Sequence, residues 1–168
     1  MPSDEGSTVL TRTLIAAALA AAGVAATPAT ALAAAPATAA EAAVAAARHT
    51  PEQVCGKGFT RVKDGHRAMK TRKGTVYGHV YLMYSKRSGK NCVAAIKTRW
   101  AGERTVTGAR LVVKGGGRSE DVQRYRYYAE TGHLDGSWKC VQYEGWTRDP
   151  DNRITAWGGR TSWGNCQG

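Results

Sequence analysis

The side chains best suited to acid–base chemistry are His66, His79, His133, Glu103, Glu120, Asp121, Glu130, Asp135 and Glu144, and they are scattered along the chain. Only Glu130 and His133 stand close together, with Arg124 and Arg126 just upstream. A carboxylate base, an imidazole acid and guanidiniums on a phosphate are the groups a small secreted ribonuclease would use. That is the enzymatic reading, and it is subordinate to a binding one. His79 alternates with Val80 and is expected on a solvent face, and His133 falls in the turn Thr131-Gly132-His133. Asp149-Pro150-Asp151-Asn152 offers carboxylates at i and i+2, but Arg153 follows where a calcium loop needs another oxygen. We read it as a turn. Gly115-Gly116-Gly117 lacks the Gly-Lys-Ser/Thr of a phosphate-cradling loop. No catalytic residue, metal or cofactor is expected. An exported protease inhibitor is a further class, and no reactive-loop signature supports it.

Compartment sets the meaning of the cysteines. The apolar run Leu14 to Ala26, preceded by Arg12 and followed by small residues near Ala33, reads as a signal peptide over residues 1–33, too short and alanine-rich for a membrane span. No transmembrane segment is expected in the mature form. Asp4 and Glu5 do not suit a signal-peptide start, and translation from Val9 would remove them. Residues 34–51 read as an Ala/Pro-rich linker or propeptide, and residues 52–168 as the extracellular domain. In an exported domain the even count of Cys55, Cys92, Cys140 and Cys166 reads as two disulfides, with three connectivities open. The sequential pairing, Cys55 with Cys92 and Cys140 with Cys166, keeps each bridge inside one local strand group. Zinc is the weaker reading, because no CxxC pair or finger-like histidine spacing is present.

Charge is the feature best able to carry a function. Residues 51–168 hold 22 Lys/Arg against 10 Asp/Glu. Such a domain is drawn to polyanions: anionic cell-wall or spore-surface polymers, with nucleic acid as a possible partner. The expected contact residues are Arg61, Lys63, Arg67, Lys70, Arg72 and Lys73 in one cluster, Lys86, Arg87 and Lys90 in a second, and Arg124 and Arg126. The last two interleave with tyrosines that would stack bases. Trp138, Trp146, Trp157 and Trp163 offer a sugar-stacking face, although tryptophan in a small β domain is more often core.

The elements that must position these residues are strands. Gly74 to Trp100 shows two period-two runs joined by the polar loop SKRSGKN, a hairpin. Val80, Leu82 and Tyr84 share one face of the first. Cys92, Ala94, Ile96, Thr98 and Trp100 share a face of the second, with Lys97 and Arg99 opposite. Upstream, Thr60 to Lys63 is a short strand, Asp64-Gly65 a turn and His66 to Lys73 a solvated connection. Downstream, Thr105 to Lys114, the Ser119–Glu130 stretch, Trp138 to Trp146 and Ile154 to Trp157 alternate in turn. A short helix capped by Ser119 is the rival over the second of these. Six to eight short strands with glycine turns predict an all-β, disulfide-stabilised antiparallel sandwich or barrel.

Cys55-Gly56-x-Gly-Phe59, Gly74-Thr-Val-Tyr77, Val80-Tyr-Leu-Met-Tyr84, Ser88-Gly89-Lys90-Asn91-Cys92, Cys140-Val141 and Trp163-Gly164-Asn165-Cys166 together resemble the spore-associated protein A family. These are small exported proteins of filamentous, spore-forming actinobacteria. The likeness covers most of residues 52–168, is densest in the hairpin and is faint from Arg99 to Lys139. It implies a spore-surface or extracellular location, a disulfide-bonded β-rich domain and no assigned catalytic residues. The function expected is therefore a non-enzymatic secreted protein held on the spore or cell surface by its basic face.

Overall fold

The period-two runs pair into one sheet of nine strands in a computed structural model that describes residues 49–166. The signal peptide, the alternative start and linker residues 34–48 lie outside the described residues. After helix α1 (Pro51–Cys55) come β1 (Thr60–Lys70), β2 (Val76–Ser85), β3 (Lys90–Lys97), β4 (Thr105–Val113), β5 (Gly117–Tyr125), β6 (Tyr128–Glu130), β7 (Leu134–Asp135), β8 (Val141–Arg148) and β9 (Thr155–Gly164). The strand order is β5-β4-β8-β9-β1-β2-β3-β6, with β7 also on β3, and every pair is antiparallel. The sheet curls into a nearly closed barrel. Between its ends, β5 and β6, the Asp121 carboxylate of β5 accepts from the Glu130 amide of β6 (3.3 Å), and Tyr125 Oη, also on β5, donates to the same carboxylate (2.7 Å). Side-chain bonding thus substitutes for part of the missing ladder.

The hairpin β2–β3 is buried on both faces, which is why Cys92 to Ile96 is an unbroken apolar run. Val80, Leu82, Val93 and Ala95 face the barrel interior with Met69, Tyr77, Leu111, Val141 and Tyr143. Met83, Cys92, Ala94 and Ile96 face outward, and Val54, Cys55 and Phe59 cover them. Two disulfides, Cys55–Cys92 and Cys140–Cys166, realise the sequential pairing. Thr50 and Pro51, read from sequence as linker, open α1. The Thr50 hydroxyl accepts from the Gln53 amide (3.2 Å), and the Gln53 side chain accepts in return from the Thr50 amide (3.0 Å). This reciprocal cap, with Pro51 at the first helical position, starts a helix of only five residues.

Two expectations change and one rival reading falls. Asp64-Gly65 is not a turn and His66–Lys70 is not a solvated connection, because both belong to β1. A bulge between Arg61 and His66 shifts the alternation by one phase and hides the continuity. Glycine is required at position 65, since a side chain there would strike the Leu82 carbonyl and Val62. The Ser119 helix does not form: β5 pairs with β4 along its whole length, from Gly117–Val113 to Tyr125–Thr105. Of the tryptophans, Trp146 is buried, whereas Trp138, Trp157 and Trp163 are exposed, so core is the wrong reading for those three. Among the described residues no helix is long and apolar enough to cross a membrane.

Candidate polyanion-binding surface

Strand register sorts the basic residues. Because Lys70 pairs with both Val76 and Trp157, Arg148 with Thr155, and Thr105 with Tyr125, four connections lie at one barrel pole. They are residues 71–75, 98–104, 126–127 and 149–154. Gathered there are Lys70, Arg72, Lys73, Arg99, Arg104, Arg124, Arg126, Arg148 and Arg153, all exposed, against Glu103, Asp149 and Asp151. None of these nine cations makes an ion pair with a carboxylate among the described residues, in contrast to Arg67, Arg110, Arg118, Lys139 and Arg160.

The loops aim these cations without neutralising them. Arg124 Nη2 donates to the Arg104 carbonyl (2.9 Å), Arg104 Nη1 to the Arg124 carbonyl (3.4 Å) and Arg126 Nη1 to the Gly102 carbonyl (2.6 Å). The Arg99 guanidinium lies over the rings of Tyr77 and Trp100, 5.4 and 5.1 Å from their centroids. Each guanidinium keeps N–H groups free in a fork that suits phosphate and carboxylate oxygens. Beside them Arg72, Lys73 and Arg153 border a cavity of about 270 Å³ whose lining includes Tyr77 and Ile154.

Lys97 holds this pole together. Sequence parity places it opposite Ile96, and that face proves to be the barrel interior. Its side chain is fully buried (0% exposed) and Nζ donates to the carbonyls of Glu103 (2.8 Å) and Tyr125 (3.1 Å). It ties the β3–β4 connection to the end of β5, the segments that carry Arg104, Arg124 and Arg126. Burial pulls its pKa down from the usual lysine value to about 7, with Glu103 opposing and Arg124 reinforcing the shift. No pattern signal marks this residue, because an isolated lysine in a strand reads as surface.

The other basic residues expected to make contact fall elsewhere. Arg61, Lys63, Lys86, Arg87 and Lys90 lie toward the opposite pole, where Thr60 pairs with Tyr84 and the β2–β3 turn sits. Arg67 is at mid-strand and pairs with Asp64 at 2.7 Å. The eleven residues therefore form two separate poles and a waist where Arg67 is paired with a carboxylate, not one patch.

The acid–base candidates are partly assembled. Glu130 Oε1 lies 3.3 Å from His133 Nε2, and the His133 ring packs on Phe59 with centroids 4.5 Å apart. Burial raises the Glu130 pKa, against the lowering effect of His133. Glu130 also lines a cavity of about 290 Å³ with Asp121, Tyr125, Arg126, Tyr127 and Tyr128. Arg126 thus joins the Glu130 cleft, whereas the Arg124 guanidinium is turned to the Arg104 carbonyl. Glu130 approaches Cys55 and Cys92, but those sulfurs are bonded to each other and leave no thiolate for a metal. His79 is outward, as expected, with an unforeseen partner: its Nδ1 is 3.0 Å from His66 Nε2. Burial is the main reason that both imidazoles titrate below the ordinary histidine value, and neighbouring positive charge adds to it. His66 stacks flat on Tyr81.

Fold and site together define a small, disulfide-bonded antiparallel β barrel with a cationic pole. Comparison of the chain with protein-family models, with curated proteins and with solved structures finds no match.

Proposed function

We propose that this is a non-enzymatic exported protein that binds anionic polymers through the pole formed by residues 70–73, 99–104, 124–126 and 148–153. The supporting observation is the gathering there of nine exposed cations, none paired with a carboxylate among the described residues. Wall polymers of a cell or spore surface, rich in phosphate or carboxylate, are the partners whose chemistry fits, and the likeness to spore-associated proteins points the same way. Attraction of this kind is salt-sensitive, because each neutralised phosphate releases counterions.

The test compares two charge variants on polyphosphate and on isolated anionic cell wall. One replaces Arg72, Lys73, Arg124, Arg126 and Arg153 with glutamine, and the other replaces Lys86, Arg87 and Lys90. The first is expected to bind at least about tenfold more weakly at moderate salt. Its dependence of log K on log salt should also flatten, by roughly 0.7 for every removed charge that had met a phosphate. The second is expected to change little. Equal weakening per charge removed in both variants would show diffuse attraction with no site.

Phosphodiester cleavage is the second reading, favoured by the Glu130–His133 contact and by Arg126 on the same cleft. Purified protein would then cut single-stranded RNA and lose that activity on His133→Ala. Intact RNA after long incubation removes this reading.

A further inference from the structure

Register across the sheet assembles a row that no local pattern contains. Val122 pairs with Gly108, Gly108 with Trp146, Trp146 with Trp157, Trp157 with Lys70 and Lys70 with Val76. The row crosses six strands from β5 to β2, roughly 24 Å at about 4.8 Å per strand. At its centre the Trp146 ring lies across Gly108, where a side chain would collide with the indole. The Arg110 guanidinium sits 5.3 Å from the Trp146 ring centroid, and Trp157 stacks on Trp146 with centroids 4.9 Å apart. Trp157 is thus a fixed flat ring, yet it remains 48% exposed. Val122 and Val76 are exposed at the two ends.

The adjacent row is charged and rigid. Arg110 bridges Glu120 and Glu144, each at 2.8 Å, and Glu144 pairs across from Gly159, two positions beyond Trp157. On the same row as the indoles stands exposed Lys70.

We propose that this outer face binds a polysaccharide strand, with a sugar ring stacked on Trp157, hydroxyls donating to Glu144 and Glu120, and a carboxylated sugar reaching Lys70. The chemistry selects this occupant. A pyranose ring offers an apolar face to an indole and hydroxyl donors at its edge, and a carboxylate held by a guanidinium is an acceptor already in place. A single-stranded DNA backbone would present phosphodiester oxygens, which only accept, to Glu120 and Glu144, acceptors already held by Arg110 and Arg118, whereas sugar hydroxyls can donate to them. A protein partner needs about 800 Å² on each side, and the apolar row is one residue deep. The face meets the cationic pole only at Lys70, and its stacking platform does not depend on the pole's function.

The experiment measures binding of the full mature protein to polygalacturonate, to polyphosphate and to a single-stranded oligonucleotide, with intrinsic tryptophan emission as a second readout. Trp157→Ala is expected to weaken polygalacturonate binding about tenfold or more and to abolish its emission change, while polyphosphate binding stays within about twofold. Trp157→Tyr keeps a ring face and is expected to recover most of the affinity. Trp157→Leu still covers Trp146 without a ring face and is expected to fail like the alanine variant, which separates stacking from a folding defect. Full polygalacturonate affinity in Trp157→Leu overturns the proposal. So does an equal weakening on polyphosphate, or Trp157-dependent binding of the oligonucleotide in preference to the glycan. Failure of the wild-type protein to bind polyphosphate bears on the cationic pole alone.

Discussion

Replacing Cys55 and Cys92 together by alanine is expected to lower the unfolding free energy by about 4 kcal/mol, read from the urea midpoint and slope. The bridge closes a span of 37 residues, and in the chain-entropy account its removal frees the unfolded state. The second bridge, spanning 26 residues, is worth about 3.5 kcal/mol by the same relation. The structure distinguishes the two more sharply than loop length does. Cys55 and Cys92 lie buried in the outer cluster, where α1 and Phe59 cover Met83, Ala94 and Ile96, whereas Cys166 is exposed near the end of the chain. Loss of the first bridge should therefore also speed amide exchange in α1 and around Phe59, while loss of the second should leave those amides protected. Equal destabilisation with unchanged exchange at α1 would show that the outer cluster holds without its bridge.

Lys97→Met is expected to change the pH dependence of stability as well as its size. The folded-state pKa near 7 lies below that of the unfolded chain, so between about pH 7 and 10.5 the unfolded state binds more protons. Wild-type stability should rise with pH across that window, by at most about 1.4 kcal/mol per unit from this one group. It should be insensitive to this group below the folded pKa. Methionine removes that slope and leaves the Glu103 and Tyr125 carbonyls without their donor, an expected loss of about 2 kcal/mol at pH 9, where the wild-type amine is neutral. At pH 6 the loss should vanish or reverse, because the wild-type protein must then bury an ammonium that the variant is spared. Parallel stability curves for the two proteins would show that Lys97 does not titrate between these values. Because Glu103 and Tyr125 belong to the segments bearing Arg104, Arg124 and Arg126, polyphosphate affinity should fall with the substitution too.

Much of the barrel is legible in the sequence where apolar and polar residues alternate without interruption. The hairpin of β2 and β3 is visible in Val80 to Tyr84 and Cys92 to Trp100, and its loop in SKRSGKN. Of β1 only the start, Thr60 to Lys63, is visible, because the bulge before His66 changes the phase of the alternation and makes Asp64-Gly65 look like a turn. The site is less legible than the fold. Lys73 and Arg153 are far apart in the chain yet border one cavity, and Arg61 lies near neither. The Glu130–His133 contact is accessible to sequence reading because it is local.

Sequence alone determines most of the strand set, the even cysteine complement and the excess of basic residues, since each follows from composition or from a spacing of two. It also determines that Lys97 and Val93 share a face. Tertiary structure decides that this face is the inside of a nearly closed sheet, that nine cations share one pole without carboxylate partners among the described residues, and that Trp157 comes to rest on Trp146 beside Lys70. The reason is physical: alternation along a strand is set by local backbone geometry, whereas register between strands from different hairpins is set only when the whole sheet curls and packs.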